Sequence, residues 1–369
     1  LPPAAMADAP AARRFIPALD GIRGVAVLGV LVFHASDWAR NHHYTGGFLG
    51  VDVFFVLSGC LITELLVAEH LRSGRIRLRA FYTRRVLRLW PAMVICLALA
   101  GLVAAVVGRN SSDGVAYPLA AAASWFDVAN IVQSIRPGAM GLLNHTWSLS
   151  QEEQFYLLWP FVLRAALPRL SLRRLAALLV VGAVACAIYR ALWFVLTDYQ
   201  SDIPGIYFQP LARMDGMLLG CALGLRLADP EAGRSGRSRW WPSALIGLAT
   251  AAFSLVVELT SPLLYLGGFS AVAVAAAIVI RHAHLATTGP VVAALCLPPL
   301  RYIGRISYGL YLFSFPIGNL VAYVDGYQHG NVIVVVQIVL SIAFAALSFE
   351  LVERRFLRLK GVIAPRAPA

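Results

Sequence analysis

The chain contains about ten apolar runs long enough to cross a lipid bilayer, and this feature constrains its fold most strongly. A spanning helix needs roughly 20 mainly apolar residues to cross a hydrocarbon core of about 30 Å. Composition agrees, since 59% of the 369 residues are hydrophobic and 14% are charged. A soluble globule, a disordered chain and a nucleic-acid-binding module therefore fit poorly. The sequence predicts an all-α polytopic membrane helix bundle. The predicted spans lie at residues 22–39, 48–68, 86–107, 148–167, 175–196, 207–227, 241–260, 263–281, 305–324 and 331–352.

Basic residues cluster in every second connection between these runs, and this distribution predicts the orientation of the chain. The net charge is +12, and most of the 31 Lys and Arg residues lie in those alternate connections. In short loops such residues stay on the cytoplasmic side of the membrane. We therefore expect both chain termini to be cytoplasmic.

One further apolar segment, residues 117–135, does not fit this alternation. If it crossed the membrane, the arginine-rich connection at residues 164–174 would lie outside. The segment also contains one acidic and two amide side chains. We therefore predict one external excursion over residues 108–147 that contains a re-entrant or surface-lying helix, because polar backbone at membrane depth needs protein or water beside it.

The domain organisation is predicted to be simple. We expect a membrane domain over residues 18–358, a disordered cytoplasmic tail at residues 1–17 and a cytoplasmic tail at residues 359–369. The five cysteines lie singly in apolar runs without a CxxC pair, which favours buried core residues over a redox or metal site. We expect no bound metal.

Arg23 and His34 are the sharpest candidate functional residues, because ionisable side chains inside a span are costly unless paired or hydrated. They are eleven positions apart, which places both on one helix face about 16 Å apart along the axis. One extended ligand with phosphates at its head and a thin reactive arm, such as coenzyme A, would contact both. The alternative is a buried, hydrogen-bonded His34 and an Arg23 that only anchors the topology.

Arg84, Arg85 and Arg88 open the third predicted span at its cytoplasmic end. Residues three and four apart share a helix face, and guanidinium groups match phosphate oxygens with paired hydrogen bonds. This cluster therefore predicts a clamp for a nucleotide diphosphate. The alternative is topology anchoring with contact to lipid headgroups.

The polar segment that leads into the fourth predicted span contains three candidate catalytic residues, His145, Glu152 and Glu153. They are proton acceptors beside an apolar run, and a carboxylate can orient an imidazole as a general base. The alternative is helix initiation through capping boxes. The pairs that fit such a box are Ser150 with Glu153 and Ser148 with Gln151.

Asp52 lies in the glycine-containing stretch Gly50–Gly59 of the second predicted span. Glycines permit close helix packing and Ser58 can bond across helices, so packing is the expected role of Ser58 and Gly59. Asp52 is a candidate acceptor-binding residue. The alternative for Asp52 is an ordinary helix cap.

Three further residues are candidates for acceptor binding. Arg213 lies in the sixth predicted span, and Tyr308 and Tyr311 fall at helical spacing in the ninth. The alternatives are that Arg213 and Asp215 offset each other's charge and that the tyrosines only line the bundle.

Several of these stretches also occur, in the same order, in a known family. Through them the chain resembles the bacterial acyltransferase-3 family of integral membrane proteins. The similarity covers residues 18 to about 358. The matching stretches are Leu19–Gly24 with His34, Gly50–Gly59, Arg84–Pro91, His145–Tyr156, Arg213–Gly220 and Gly304–Leu312.

The resemblance implies a ten-helix domain that takes acyl groups, commonly acetyl, from cytoplasmic acyl-CoA and places them on hydroxyl groups. Acceptors in the family are often carbohydrates at the outer side of the membrane, and some relatives act on secondary metabolites. By the same resemblance, Arg23 and His34 are the expected essential pair, and Arg85 with Arg88 contact the donor. Ser314 is a departure, since the family often has histidine there. Some relatives carry an additional hydrolase-like domain, which we do not expect because the chain ends soon after its last helix.

We therefore expect a multi-pass O-acyltransferase of the bacterial inner membrane, with acetyl-CoA as donor and a carbohydrate or glycolipid as acceptor. The main alternative is a secondary transporter or flippase, because polar residues at mid-depth also mark substrate pathways. An acyltransferase that acts on a secondary metabolite, a histidine-dependent acyltransferase of another membrane family and a non-catalytic scaffold are further alternatives.

Overall fold

The computed structural model describes residues 15–38, 45–107, 116–197, 205–229, 239–326 and 330–363. Of the predicted tails, residues 1–14 and 364–369 lie outside these ranges. The described part of the chain is helical and contains no strand, so the all-α prediction is confirmed.

The main helices follow one another through short connections. In chain order they are α1 (Pro17–Trp38), α2 (Gly50–Ser73), α3 (Leu78–Val107), α4 (Tyr117–Trp125), α5 (Ala129–Ile135), α6 (Trp147–Ala166), α7 (Leu172–Leu196), α8 (Asp215–Ala228), α9 (Trp240–Val256), α10 (Phe269–Leu285), α11 (Pro290–Leu295), α12 (Pro298–Arg305), α13 (Ser307–Val324), α14 (Asn331–Ser348) and α15 (Arg354–Ile363).

Each of the ten predicted spans overlaps one long helix of this series. Six segments of the described chain are long and apolar enough to cross a membrane by length and composition. They contain α1, α2, α3, α7, α10 and α14. The protein is therefore a polytopic membrane helix bundle. The helices that overlap the other four predicted spans are shorter or more polar than these six segments.

Two helix starts differ most from the prediction. α3 begins at Leu78 rather than at residue 86, because the arginine-rich stretch before the apolar run continues the helix and neighbouring helices cover Phe81 and Arg84. α8 begins only at Asp215, after a one-turn 3-10 helix at Leu211–Arg213. Pro210 precedes that turn, and a proline lacks the N–H that a continuous helix would need there.

The segment that broke the charge alternation forms two short helices, α4 and α5, joined by a turn at Asp127. Neither is long enough to cross a bilayer, as expected for a re-entrant or surface-lying element. α5 packs on α6, and its polar side chains Asn130 and Gln133 are buried. Asn130 Nδ2 donates to Gln154 Oε1 of α6 at 3.0 Å, so this polar surface is satisfied by protein.

Glycines bring α2 and α8 together in the most extensive helix–helix contact of the described chain. A Cβ atom built on Gly220 would lie 2.2 Å from the carbonyl oxygen of Val56, and one on Gly59 would lie 2.2 Å from that of Met217. Only hydrogen fits at these positions, so the two backbones touch directly. The predicted packing role of Gly59 is confirmed.

We expect the substitution Gly220→Ala to destabilise the protein by about 1–3 kcal/mol, the usual cost of overpacking a core. The new methyl group meets backbone that cannot rotate away. The measurement is the thermal unfolding midpoint of purified protein in detergent. Gly182→Ala is the matched control, because a Cβ there meets only Leu218 Cδ1 at 3.4 Å. Equal midpoints for both variants and the parent would contradict the prediction.

Candidate active site

Arg23 and His34 lie on one continuous helix, α1, eleven residues apart, as the sequence predicted. The rise of an α-helix separates them by about 16 Å along the axis and leaves them on one face. The ring of His34 lies 5.4 Å from the ring of Phe33 and 5.3 Å from that of Phe315, centroid to centroid. Its Nδ1 atom is buried and has no hydrogen-bond partner among the described residues. An imidazole nitrogen is thus available to a ligand.

His145 lies on another side of the same phenyl ring. Its imidazole stacks on Phe315 at 5.0 Å with an interplanar angle of 23°. Its Nε2 atom lies 3.0 Å from the carbonyl oxygen of Leu312, which can only accept, so Nε2 carries the proton. The buried Nδ1 atom then holds a lone pair and finds no partner in the described chain. Phe315 therefore contacts two imidazoles that both have an unpaired Nδ1.

Tyr311 holds this part of the site in place. Its hydroxyl donates to the backbone carbonyl of His145 at 2.6 Å and is 2.7 Å from Ser148 Oγ. These bonds connect α13 to the start of α6, so Tyr311 positions His145 through its backbone.

Arg85 is already engaged by two neighbours on α6. Its Nη2 atom lies 2.6 Å from Glu153 Oε1, its Nε atom lies 2.8 Å from Glu153 Oε2, and its guanidinium carbon lies 3.1 Å from the centre of the Tyr156 ring. This bidentate ion pair and cation–π contact join α3 to α6. The structure thus brings Arg85 together with Glu153 rather than leaving its guanidinium open.

Arg88 lies one turn along α3 and has no ion pair within the described residues. It is close enough to Arg23, Arg85 and Asp20 for their charges to influence it. The Nε atom of Arg23 is buried without a partner there. Arg84 is buried as well. Arg23 and Arg88 therefore form a cationic cluster at the end of α1 opposite His34.

Glu152 has a partner on the second helix. Ser58 Oγ donates to Glu152 Oε1 at 2.9 Å, which confirms the expected bond of Ser58 across helices. The carboxylate of Glu153 is bound to Arg85. Neither it nor the carboxylate of Glu152 therefore hydrogen-bonds the unpaired Nδ1 atom of His34. The structure does not bring the three predicted catalytic acceptors together around His34; only His145 shares its aromatic contact.

The capping alternative for this segment is wrong. α6 begins at Trp147 without a side-chain cap. Ser148 bonds Tyr311, and Ser150 Oγ accepts from the backbone N–H of Ala129 at 3.2 Å. Both serines therefore join α6 to neighbouring elements, which is a tertiary role.

Asp52 and Arg213 form a buried ion pair at 2.9 Å, with side chains 4% and 0% exposed. The guanidinium of Arg213 also lies 3.6 Å from the centre of the Phe269 ring. Asp52 is therefore not a helix cap. The alternative in which Arg213 and Asp215 offset each other is also wrong, because the ion pair of Asp215 is with Arg190 at 2.9 Å.

Arg190 and Asp127 are buried or strained residues that the sequence did not single out as site residues. Arg190 is fully buried between α7 and α8, and its only sequence signal was a lone arginine within an apolar run.

Asp127 has φ 56°, a left-handed conformation that non-glycine residues rarely adopt. It lines a cleft of about 90 Å³ together with Arg85, Glu153 and Tyr308. Tyr308 thus faces the ion pair, whereas Tyr311 faces His145.

We expect Arg213→Gln to destabilise the protein by about 3–5 kcal/mol, because it leaves the carboxylate of Asp52 buried without its counter-charge. The double variant Asp52→Asn, Arg213→Gln should recover part of that loss. Thermal unfolding in detergent measures both. A double variant less stable than Arg213→Gln would contradict a structural ion pair.

Known proteins resemble this chain over nearly its whole length. A family model described as an acyltransferase domain matches residues 16–350. The O-acetyltransferase OatA of Staphylococcus aureus strain NCTC 8325 is 31% identical over 357 residues, which are 92% of this chain and 57% of that protein. A protein of Staphylococcus aureus strain COL, provisionally described as an O-acetyltransferase, is 31% identical over 364 residues, 95% of this chain and 58% of its own length. The chain thus spans less than two thirds of these relatives. No solved structure matches it.

Proposed function

The chain belongs to the acyltransferase-3 family, and we propose that it is an O-acyltransferase that moves an acetyl group from cytoplasmic acetyl-CoA to a hydroxyl of a carbohydrate or glycolipid. The observation that carries this proposal is the geometry of α1. A cationic cluster at Arg23 and a buried imidazole with an unpaired nitrogen at His34 share one helix face about 16 Å apart.

The cationic cluster suits the phosphates of the donor. Arg23 lies near Arg88, and two like charges repel each other unless an anion such as a phosphate binds beside them. Arg85 contributes less directly, because Glu153 and Tyr156 already occupy its guanidinium. We assign donor binding mainly to Arg23 and Arg88, and we assign to Arg85 the role of holding α3 against α6.

His34 acts as the general base. Its unpaired nitrogen takes the proton of the acceptor hydroxyl while the oxygen attacks the thioester carbonyl. The carbon–sulfur bond then breaks, and the imidazolium returns the proton to the departing thiolate. The products are an ester and free coenzyme A, and no further reactant is needed.

Phe33 and Phe315 shield the reacting group from water. Both rings contact His34, so its surroundings disfavour hydrolysis of the thioester. His145 contributes a second lone pair beside Phe315 and is the residue that we assign to the acceptor hydroxyls. Asp52 and Arg213 shape the bundle through their ion pair and are not assigned to acceptor contact.

The charge distribution supports the orientation of this reaction. Arginines concentrate in alternate connections, which favours cytoplasmic termini and a donor site on the cytoplasmic side of the bacterial inner membrane. His34 lies nearer the other end of α1, so the acceptor reaches it from outside.

We expect His34→Ala to abolish acetyl transfer and to leave the fold intact, because the base is lost but the ring makes no structural hydrogen bond through Nδ1. The assay incubates purified protein in nanodiscs with radiolabelled acetyl-CoA and the envelope glycolipids of the host, and follows label in the glycolipid fraction.

His70→Ala is the matched control, since His70 lies in the last turn of α2. Transfer by His34→Ala at the rate of the parent protein would refute the assignment. Mass spectrometry of the parent protein, quenched during turnover, tests the direct mechanism. An acetyl group found covalently on His34 would show that transfer proceeds through an acetyl-enzyme intermediate instead.

Arg88→Ala should raise the KM for acetyl-CoA at least about tenfold with a smaller change in kcat, because one charged contact to phosphate is lost. Arg75→Ala is the control, since Arg75 is exposed in the connection after α2. An unchanged KM would show that Arg88 does not contact the donor.

Uptake of labelled solute into vesicles without acetyl-CoA would instead favour a transporter.

A further inference from the structure

Two arginines of α12, Arg301 and Arg305, have no role in the mechanism proposed above. They lie four residues apart, so their side chains share one face of this helix. Arg305 is exposed and Arg301 is half-buried. Neither forms an ion pair with another described residue. The Nε atom of Arg301 is buried and finds no hydrogen-bond partner in the described chain. We call these two residues the α12 arginine pair.

α12 lies directly against the first part of α1. A Cβ atom on Gly304 would collide with the carbonyl oxygen of Asp20, and one on Gly24 would collide with that of Leu300. Because only hydrogen fits at these two positions, the backbones of the two helices touch. This contact places the α12 arginine pair beside the end of α1 that carries Arg23.

The carboxylate of Asp20 shows which positive charges lie together at this end of the bundle. Four guanidinium groups are close enough for their charges to influence it, those of Arg23, Arg88, Arg301 and Arg305. The cationic cluster and the α12 arginine pair therefore form one group of arginines around Asp20. None of the four forms an ion pair within the described chain.

The carboxylates near this group do not neutralise it. Glu152 lies near Arg23 and Glu353 lies near Arg88, but each accepts its hydrogen bond from a serine rather than from an arginine. Like charges held together repel each other, and a bound polyanion removes that cost. Arg88 and Arg305 are exposed, so a polyanion in water can reach the group.

We propose that the α12 arginine pair binds the 3′-phosphate of coenzyme A, while the cationic cluster binds its diphosphate. This inference rests on the donor proposed above and names the part of that donor that α12 recognises. Coenzyme A carries phosphate in two places, a diphosphate on the 5′ carbon of its ribose and a monophosphate on the 3′ carbon. Two pairs of guanidinium groups around one helix end match this division. A guanidinium binds phosphate oxygens through paired hydrogen bonds, and the unpaired Nε–H of Arg301 is available for one of them.

The test compares coenzyme A with dephospho-coenzyme A, which lacks only the 3′-phosphate. Each is titrated into the parent protein in phosphatidylcholine nanodiscs, and calorimetry gives the two dissociation constants. No acceptor is present and neither compound carries an acyl group, so binding is measured without turnover. Coenzyme A should bind at least about tenfold more tightly, because dephospho-coenzyme A lacks the charged contacts to α12.

Substitutions then locate the contact. Arg301→Gln and Arg305→Gln should each weaken the binding of coenzyme A and leave that of dephospho-coenzyme A unchanged, so the ratio of the two affinities falls towards one. Arg88→Gln should weaken both compounds by the same factor and preserve the ratio. Arg174→Gln, at an exposed arginine of α7, is the control for a general loss of charge. Arg305 is exposed, so its variant carries the test if Arg301→Gln does not fold.

The outcomes separate this inference from the proposed function. Equal affinity of the parent protein for both compounds, or an undiminished ratio in the α12 variants, overturns the inference and leaves acetyl-CoA as the donor. Failure of both compounds to bind overturns the donor as well. Lipid headgroups are the other source of phosphate, so thermal unfolding is repeated in phosphatidylglycerol nanodiscs. Variants that lose stabilisation by this lipid but keep the full ratio would assign the α12 arginine pair to lipid and overturn the inference.

Discussion

The pairing of buried charges is the constraint on which the rest of this structure depends. In a bilayer an unpaired charge is costly, and ion pairs between different helices avoid that cost here. The pairs are Asp52 with Arg213, Asp215 with Arg190 and Glu153 with Arg85. These pairs cross α2, α3, α6, α7 and α8 and fix which helices adjoin. The buried polar atoms that remain unpaired in the described chain therefore indicate a ligand site, because each costs free energy unless a ligand forms a hydrogen bond with it. Two of the buried ones, the Nδ1 atoms of His34 and His145, lie beside one phenyl ring.

The packing of small residues makes these pairings possible. Direct contact between α2 and α8 at Gly59 and Gly220 brings the ends of both helices together, where Asp52 meets Arg213. A similar close approach places Gly304 against the backbone of Asp20, so the end of α12, which leads directly into α13, lies beside the start of α1. α1 and α13 therefore run in the same direction, and Phe315 reaches His34 at a corresponding depth. The position of the site thus follows from backbone contacts that lie outside it.

Much of the fold could be predicted from the sequence, because the length of an apolar run follows directly from the thickness of the bilayer. The axial relation of Arg23 and His34 could be predicted for the same reason, since it lies within one helix. Partners across helices could not. The sequence offered Asp215, its neighbour along the chain, as an alternative partner for Arg213, yet Arg213 pairs with Asp52, because the turn before α8 directs it towards α2. The start of α3 was missed because hydropathy marks where lipid begins, whereas backbone hydrogen bonds decide where a helix begins.

Ser314 shows how the site works without the histidine that the family often has at this position. Its hydroxyl donates to the carbonyl of Tyr311 at 3.1 Å and is 1% exposed, so it is satisfied within its own helix and offers no base to a ligand. The next residue, Phe315, instead contacts the imidazoles of both His34 and His145. A phenyl ring cannot exchange protons, but its contact with both imidazoles shields them from water. In the mechanism proposed above, proton transfer therefore falls to the imidazole of α1 and to the one that precedes α6, and both contact the same apolar ring.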